Sequence, residues 1–323
     1  MALKRTLALC LISLHTLLAE STATLELEHF NFVFENDYFV QTDQWYSSGL
    51  DLSLLFRLDQ PPSFLKTEAI TYLAFAISHE IYTPKEFNNP DLQSDDRPYA
   101  GWLYGSIALH RSNPSKLDTV ELQIGIVGPS AKAEKLQRFT HDHILGDPVD
   151  GWQHQLSDEP GINLSYHHHE RFLLQTGKYQ TLLIPRIGAV IGNVRTELDG
   201  GLLYRAGINL PVDFGQNFMA APGLDSAIPA YDKGEARERP LYSYYLQLQG
   251  NLRLVGKDLF LEGNTYKMSH SVDPYPLVGM LGGGIGGSYR QYEASLTYTV
   301  ESKSFTQQPT LHAFGSLLFT YHY

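Results

Sequence analysis

Apolar and polar side chains alternate one by one over long stretches of this chain, and the pattern recurs from end to end. From Thr119 to Val127, Val120, Leu122, Ile124 and Ile126 share one face, while Thr119, Glu121 and Gln123 share the other. From Tyr242 to Leu254, Tyr242, Tyr244, Leu246, Leu248, Leu252 and Leu254 alternate with Ser243, Gln247, Gln249, Asn251 and Arg253. From Gln291 to Glu301, Tyr292, Ala294, Leu296, Tyr298 and Val300 alternate with Gln291, Glu293, Ser295, Thr297, Thr299 and Glu301. Successive side chains of an extended strand point to opposite faces, so each segment is a ribbon that is apolar on one side and hydrogen-bonding on the other.

A soluble antiparallel sandwich shows the same alternation, and strand length separates the two. Globular strands usually run to about five or six residues, whereas a tilted membrane crossing needs about nine to eleven. The segments here fit the second. The chain also ends on such a strand, Leu311 to Tyr323, with Leu311, Ala313, Leu317, Phe319, Tyr321 and Tyr323 on one face; a terminal aromatic of this kind resembles the C-terminal signal of outer-membrane proteins. The pattern predicts strands at Leu25–Phe34, Tyr46–Phe56, Ile70–Ile81, Ala100–His110, Leu117–Val127, Ile162–Leu174, Tyr179–Ile191, Arg195–Asn209, Tyr242–Leu254, Leu277–Gly286, Gln291–Glu301 and Leu311–Tyr323. Leu259–Glu262 is a further candidate, but single-chain bacterial barrels have an even number of strands, and this shortest segment is the one to discard. The expected fold is all-β: a transmembrane antiparallel up-and-down β-barrel of twelve strands, with a short helix in an extracellular loop.

The first residues, MALKRTLALCLISLHTLLAESTA, have the layout of a secretory signal: Lys4 and Arg5, then an apolar run from Leu7 to Leu18, then small residues at Ser21 and Ala23. Residues 1–23 are read as a signal peptide and 24–323 as the barrel. The single cysteine, Cys10, falls within the signal, so the exported chain needs no disulfide framework. No later stretch is long and apolar enough for a membrane helix. The net charge of −11 argues against nucleic acid as a partner.

One connection breaks the hairpin rhythm. Between Val127 and Ile162 lies a long loop in which Ser130 reads as an N-cap, Ala131 to Leu145 is free of Gly and Pro, and Gly146 closes the run. With the N-terminus in the periplasm, this loop is extracellular, and long loops with their own structure are often functional. The same strand count puts the long stretch Pro211 to Pro240 in the periplasm. The chain has no G-x-S-x-G elbow, H-E-x-x-H, Walker A or dinucleotide motif. His167, His168 and His169 invite a metal reading, but neighbours in a strand face opposite ways, and a polar band near the periplasmic rim accounts for them better. Gln137 and His141 stand four residues apart and share a helix face. Imidazole is the natural general base near neutral pH, although a His and a Gln at this spacing also occur on ordinary helices. In the first hairpin, pairing brings Glu35-Asn36-Asp37 beside Tyr46-Ser47-Ser48-Gly49, a set of short oxygen-bearing side chains that suits a hard cation or equally a plain polar turn.

At these residues the chain resembles the lipid A 3′-O-deacylase family of Gram-negative outer membranes. The likeness covers essentially all of the exported chain. It is carried by FENDYFVQTDQWYSSGL (Phe34–Leu50), DDRPYAGWLY (Asp95–Tyr104), LQRFTHDHILGD with GWQHQL behind it (Leu136–Leu156), and DEPGINLSY (Asp158–Tyr166). The resemblance implies a twelve-stranded barrel with its site between the wall and a loop helix, and Ca²⁺-dependent removal of the 3′-linked acyloxyacyl group of lipid A. It implies catalytic positions at His141, Gln137 and Asn36, with His141 eleven residues before Trp152 as the family spacing requires. It also implies metal positions at Asp37, Ser47 and Asp147.

In the loop after the third strand, where some members carry basic residues for phosphate, Asn88 and Asn89 stand nearer the matching positions. Lys85 is placed differently, and Arg97 and Lys85 are the substrate-binding candidates. The expected partners are lipid A or lipopolysaccharide and outer-membrane lipid, with no obligate protein partner. The rival expectations are an outer-membrane phospholipase with a Ser nucleophile, and a non-enzymatic barrel such as a narrow channel or a degenerate deacylase.

Overall fold

The computed structural model describes residues 24–40, 44–61, 67–145, 149–216, 224–234 and 239–323. The predicted signal segment and Asp147 therefore lie outside the described residues. One antiparallel sheet contains β1 (Thr24–Asn36), β2 (Trp45–Asp59), β3 (Ile70–Thr83), β4 (Ala100–Ser112), β5 (Lys116–Val127), β6 (Glu159–Glu170), β7 (Phe172–Thr176), β8 (Tyr179–Gly192), β9 (Arg195–Ile208), β10 (Tyr242–Asp258), β11 (Leu277–Tyr289), β12 (Tyr292–Glu301) and β13 (His312–His322). Apart from β6 and β7, each strand pairs with its neighbour in sequence, and β13 returns to β1 from His29↔His322 to Asn36↔Gly315. Both β6 and β7 pair with β8, so they are two halves of one crossing, interrupted at Arg171. The result is a closed barrel of twelve strands, as the alternation predicts.

The side-chain distribution is inverted relative to a soluble protein. On β10, Leu246 and Leu248 are 65% and 59% exposed, whereas Gln247 between them is 1% exposed. The apolar face of every ribbon thus points outward and the polar face lines the lumen, which is the arrangement lipid requires and the opposite of a sandwich. Tyr179, Tyr242, Tyr244, Tyr289, Tyr292 and Tyr323 ring the outside of the mouth that holds the chain termini, as an interfacial aromatic girdle does.

The lumen is filled from both ends. At the far mouth, Tyr46, Tyr82, Trp102 and Phe314 from the wall pack with Phe260, and Tyr82 stacks on Phe260 at 4.4 Å between ring centroids. Phe260 comes from the segment Leu259–Glu262, a single helical turn (α2 below) that dips into the mouth and is capped by Asp258, whose carboxylate accepts from Phe260 N at 2.9 Å. Discarding that segment as a strand is therefore correct. Below the aromatic layer, Arg195 pairs with Glu80 at 2.8 Å and Arg253 with Glu301 at 3.2 Å. The histidine run divides as alternation requires. His167 and His169 face inward, toward Asp199 and Asp225, and His168 reaches Asp118.

The long connection between β9 and β10 folds back into the terminal mouth as a plug. Its two described arms pair across Asp213↔Pro229, and its side chains and backbone engage the inner wall all round. Asp213 accepts from Arg205 at 3.0 Å, Leu224 N donates to Glu121 at 2.7 Å, Asn31 donates to the Ser226 carbonyl, and Asp225 lies 3.1 Å from His169. A void of about 30 Å³ lies between His169, Arg186, Phe214 and Asp225. Burial alone would push the Asp225 carboxyl up, but His169 and Arg186 outweigh it and hold the group well below the usual carboxylate range. Such a depressed group contributes its stabilisation at neutral pH and loses it as pH falls below the unfolded value of about 3.9. Asp225→Asn is accordingly expected to destabilise the plugged barrel by about 1–3 kcal/mol at pH 7. Heat-modifiable mobility on SDS gels should show the difference, and the gap from wild type should narrow in acid.

Candidate active site

The outer face of β3 shows where the membrane surface stops. Phe75 and Ile77 are 37% and 65% exposed, but His79 and Ile81, next on the same face, are buried. The cover is the β5–β6 connection. Gly128, at φ 102°, donates to the Gly101 carbonyl at 2.9 Å and turns the chain outward. A single turn, Pro129–Ala131, leads into helix α1 (Ala133–Thr140), which continues as a wider π-type turn over His141–Leu145; α2 is the turn at Leu259–Glu262.

The predicted start at Ala131 is two residues early. Lys132, in the left-handed region at φ 64°, is the N-cap. Ser130 does not cap the helix: its amide and hydroxyl both donate to Asp158, at 2.7 Å each.

Helix α1 lies against the outer wall because β4 offers it a gap there. Gly101 faces outward, and a Cβ at that position would stand 2.3 Å from the Ala133 methyl. Ala133 then packs with Ile81, Tyr99, Val149 and Trp152. The buried side of the helix is Ala133, Gln137 and His141, successive steps of four residues. Trp152 Nε1 donates to Gln137 Oε1 at 2.8 Å and fixes the amide's orientation. The Phe87 ring lies 5.2 Å from the His141 ring. By contrast His143 is exposed, stacks on Phe139 at 4.5 Å and hydrogen-bonds the Phe139 carbonyl. Of the two histidines, His141 is the one turned toward the wall.

The first hairpin turns at the same mouth of the barrel as this cover. Asn36 closes β1 opposite Ser48, and its Oδ1 accepts from Tyr38 N at 2.7 Å, which leaves its amide NH₂ as the donor end. Asp37 is buried and accepts from Gln44 N at 2.6 Å. A bulge between Tyr46 and Ser48 inserts Ser47 as an extra residue opposite β3, and Ser47 Oγ meets Thr83 Oγ1 at 2.6 Å. Such bulges re-aim side chains near active sites. Thr83 ends β3 and opens the loop that carries Phe87 to His141. Asn36, Asp37 and Ser47 thus form the wall side, and Gln137 and His141 the cover side, of the same rim.

Two further candidates lie elsewhere. Lys85 is exposed, and its backbone N donates to Asp96 at 2.8 Å. Arg97 is buried over the lumen-facing Tyr82 ring at 4.3 Å, on the inner rather than the outer side of the wall. Burial lowers the Arg97 pKa and raises that of Asp96. The donors at the first hairpin, a carboxylate, an amide oxygen and hydroxyls, are hard oxygens whose chemistry fits Ca²⁺. Among the described residues no three His, Cys, Asp or Glu side chains converge on one point. His79, Thr83 and Phe87 were not anticipated. Only His79 left a sequence signal, a polar residue on the outward face of β3.

Residues 6–323 match the family described as Outer membrane protein LpxR. The chain belongs to this family. It is an outer-membrane protein of a family that modifies lipid A. The solved structure of LpxR from Salmonella typhimurium is 20% identical, with a TM-score of 0.74, over 91% of this chain and 100% of its own. The β domain of the Bordetella autotransporter BrkA is a more distant barrel, 9% identical with a TM-score of 0.46, over 92% of this chain and 98% of its own. No curated protein matches the chain significantly.

The gap at Gly101 has a direct test. Gly101→Val adds two methyl groups where one carbon already clashes with Ala133, so the barrel should fold while helix α1 lifts from the wall. The expected sign is a red shift of tryptophan emission as buried Trp152 meets water. Unchanged emission would show that the helix does not depend on this gap.

Proposed function

We propose that the protein is a lipid A 3′-O-deacylase, an ester hydrolase that removes the 3′-linked acyloxyacyl group at the outer rim of its barrel. The observation that carries this is the burial of Gln137 and His141 on the wall-facing side of a loop helix, at the same mouth of the barrel as the Asn36–Asp37 end of β1, in a chain of the LpxR family. A site on the outside of the wall meets an ester whose acyl chains stay in the outer leaflet, with no need to draw the lipid into the lumen.

In this reading His141 takes a proton from the water that attacks the ester carbonyl, a role typically worth about 10²- to 10⁴-fold in rate. Gln137, oriented by Trp152, stands one turn before it and steadies the water or the imidazole. The Asn36 amide donates to the oxyanion as the tetrahedral intermediate forms. Asp37 and Ser47, with Asp147, are the residues that would hold Ca²⁺, which when bound supplies Lewis-acid stabilisation of negative charge. Lys85 at the exposed rim is a cation available to lipid phosphate. The buried position of Arg97 favours a structural role for it.

The folded-back loop in the described lumen weighs against a channel, and the pairing of Ser47 with Thr83 rather than with a His weighs against Ser47 as a nucleophile. Mass spectrometry of lipid A from cells expressing the protein should show loss of the acyloxyacyl group, and His141→Ala should abolish that loss while the barrel keeps its heat-modifiable mobility. Full activity in that variant would remove His141 as the base. Activity should also fall in excess chelator and return with added Ca²⁺; undiminished turnover in chelator would remove the metal.

A further inference from the structure

Trp45 is held in a backbone conformation that a bulky residue rarely adopts. Its φ is 63°, in the left-handed region, which for a large side chain marks strain. Such strain persists only where the surroundings over-determine it, and it gathers at functional sites. The indole is 1% exposed and packs with Leu261, Val272 and Phe305, and its Nε1 donates to Asp96 Oδ1 at 3.1 Å. Asp96 collects three more donors. Its carboxylate accepts from the amides of Lys85 at 2.8 Å and Arg97 at 2.7 Å, and its carbonyl accepts from His270 Nε2 at 2.6 Å. One residue therefore ties the β1–β2, β3–β4 and β10–β11 connections together at the far mouth.

We propose that Trp45 and Asp96 are a positioning pair that sets the cation side of the site, Asp37 and Ser47, in place before any cation arrives. Trp45 lies between the two contacts that define that side. The residue before it, Gln44, donates its backbone N to Asp37 at 2.6 Å. Just after it, the bulge turns Ser47 onto Thr83, which is also the register partner of Trp45. The course of the chain from Gln44 into the bulge depends on φ at Trp45, and the grip on the indole fixes that angle. Relaxing it to the extended region would swing the Gln44 amide off Asp37. Neither member of the pair is itself a cation ligand: the indole has only a donor, and the Asp96 carboxylate is engaged by three N–H groups. Rigidity of the ligand frame is one of the two quantities that tune Ca²⁺ affinity at a site of given geometry, and ordering done in advance is not charged against binding.

The proposal rests on the calcium-dependent deacylase reading for its binding test, and a protease test stands apart from it. In the full-length protein, Trp45→Phe removes the indole N–H and keeps an aromatic ring in the apolar pocket, so heat-modifiable mobility should be unchanged. The Ca²⁺ concentration at half-saturation, read by isothermal titration calorimetry, should rise about tenfold. The Ca²⁺ concentration for half-maximal acyl release should rise with it, while kcat at saturating Ca²⁺ changes little. A variant that merely folded less well would lose amplitude without moving the midpoint. In calcium-free buffer, trypsin should cut Trp45→Phe and Asp96→Ala faster than wild type at Lys85, whose amide the Asp96 carboxylate holds. An unmoved Ca²⁺ midpoint in Trp45→Phe would overturn the proposal, whatever happens to kcat. Should the wild-type protein release no acyl chains, the deacylase reading fails and the calorimetric midpoint still decides the role of the pair. Should it bind no Ca²⁺ either, cleavage at Lys85 decides it: equal rates in wild type and variants would overturn the proposal, and faster cutting in the variants would uphold the pair's hold on this rim.

Discussion

Every peptide N–H and C=O that crosses the hydrocarbon must find its partner within the chain, because lipid offers none. The pairing of β13 with β1 meets that demand for the whole sheet by abolishing its two edges. From this closure the rest follows. A closed ribbon in lipid must turn its leucines and tyrosines outward, which forces serines, glutamines, glutamates and arginines into an enclosed lumen. Buried charges there are tolerable only when paired, and the described lumen answers with Arg195–Glu80, Arg253–Glu301, Arg186–Asp199 and Arg205–Asp213.

The same closure bears on why the proposed site lies outside. With aromatic rings across one mouth and a folded-back loop in the other, the described interior offers a lipid no clear entrance. The outer wall is open to one, but it is a lipid-bathed surface where a catalytic dyad could not be held or kept polar. The β5–β6 connection solves this by roofing a patch of wall. It needs a notch, which Gly101 supplies. It also needs a bend, for which Gly128 and Lys132 both adopt a positive φ.

Strands were legible because period-2 patterning is local and survives any tertiary context. Twelve crossings could be counted from it, and the segment Ile162–Leu174 even emerged as one crossing although Arg171 breaks its ladder. That break is not local: the Arg171 guanidinium turns away to the carbonyls of Asp213 and Pro114. The helix start was misplaced for a similar reason. Ser130 has the chemistry of a cap, but Asp158, distant in sequence, claims it. The bulge at Ser47 left no trace in the pattern. From spacing alone Gln137 and His141 are visible as a pair but not as a site; the family resemblance singles out His141, and the fold shows that it is the histidine turned toward the wall.

The plug also ties together parts of the chain that are made far apart. Described residues of the β9–β10 connection contact Asn31 on β1, Glu121 on β5, His169 on β6, Ser295 on β12 and Ser316 on β13. Some of these partners are synthesised before the loop and others after it. The full set of contacts exists only once the first and last strands have met. Seating of this loop is therefore a late event in biogenesis, and a properly seated loop is a record, kept inside the molecule, that its seam has closed in the correct register.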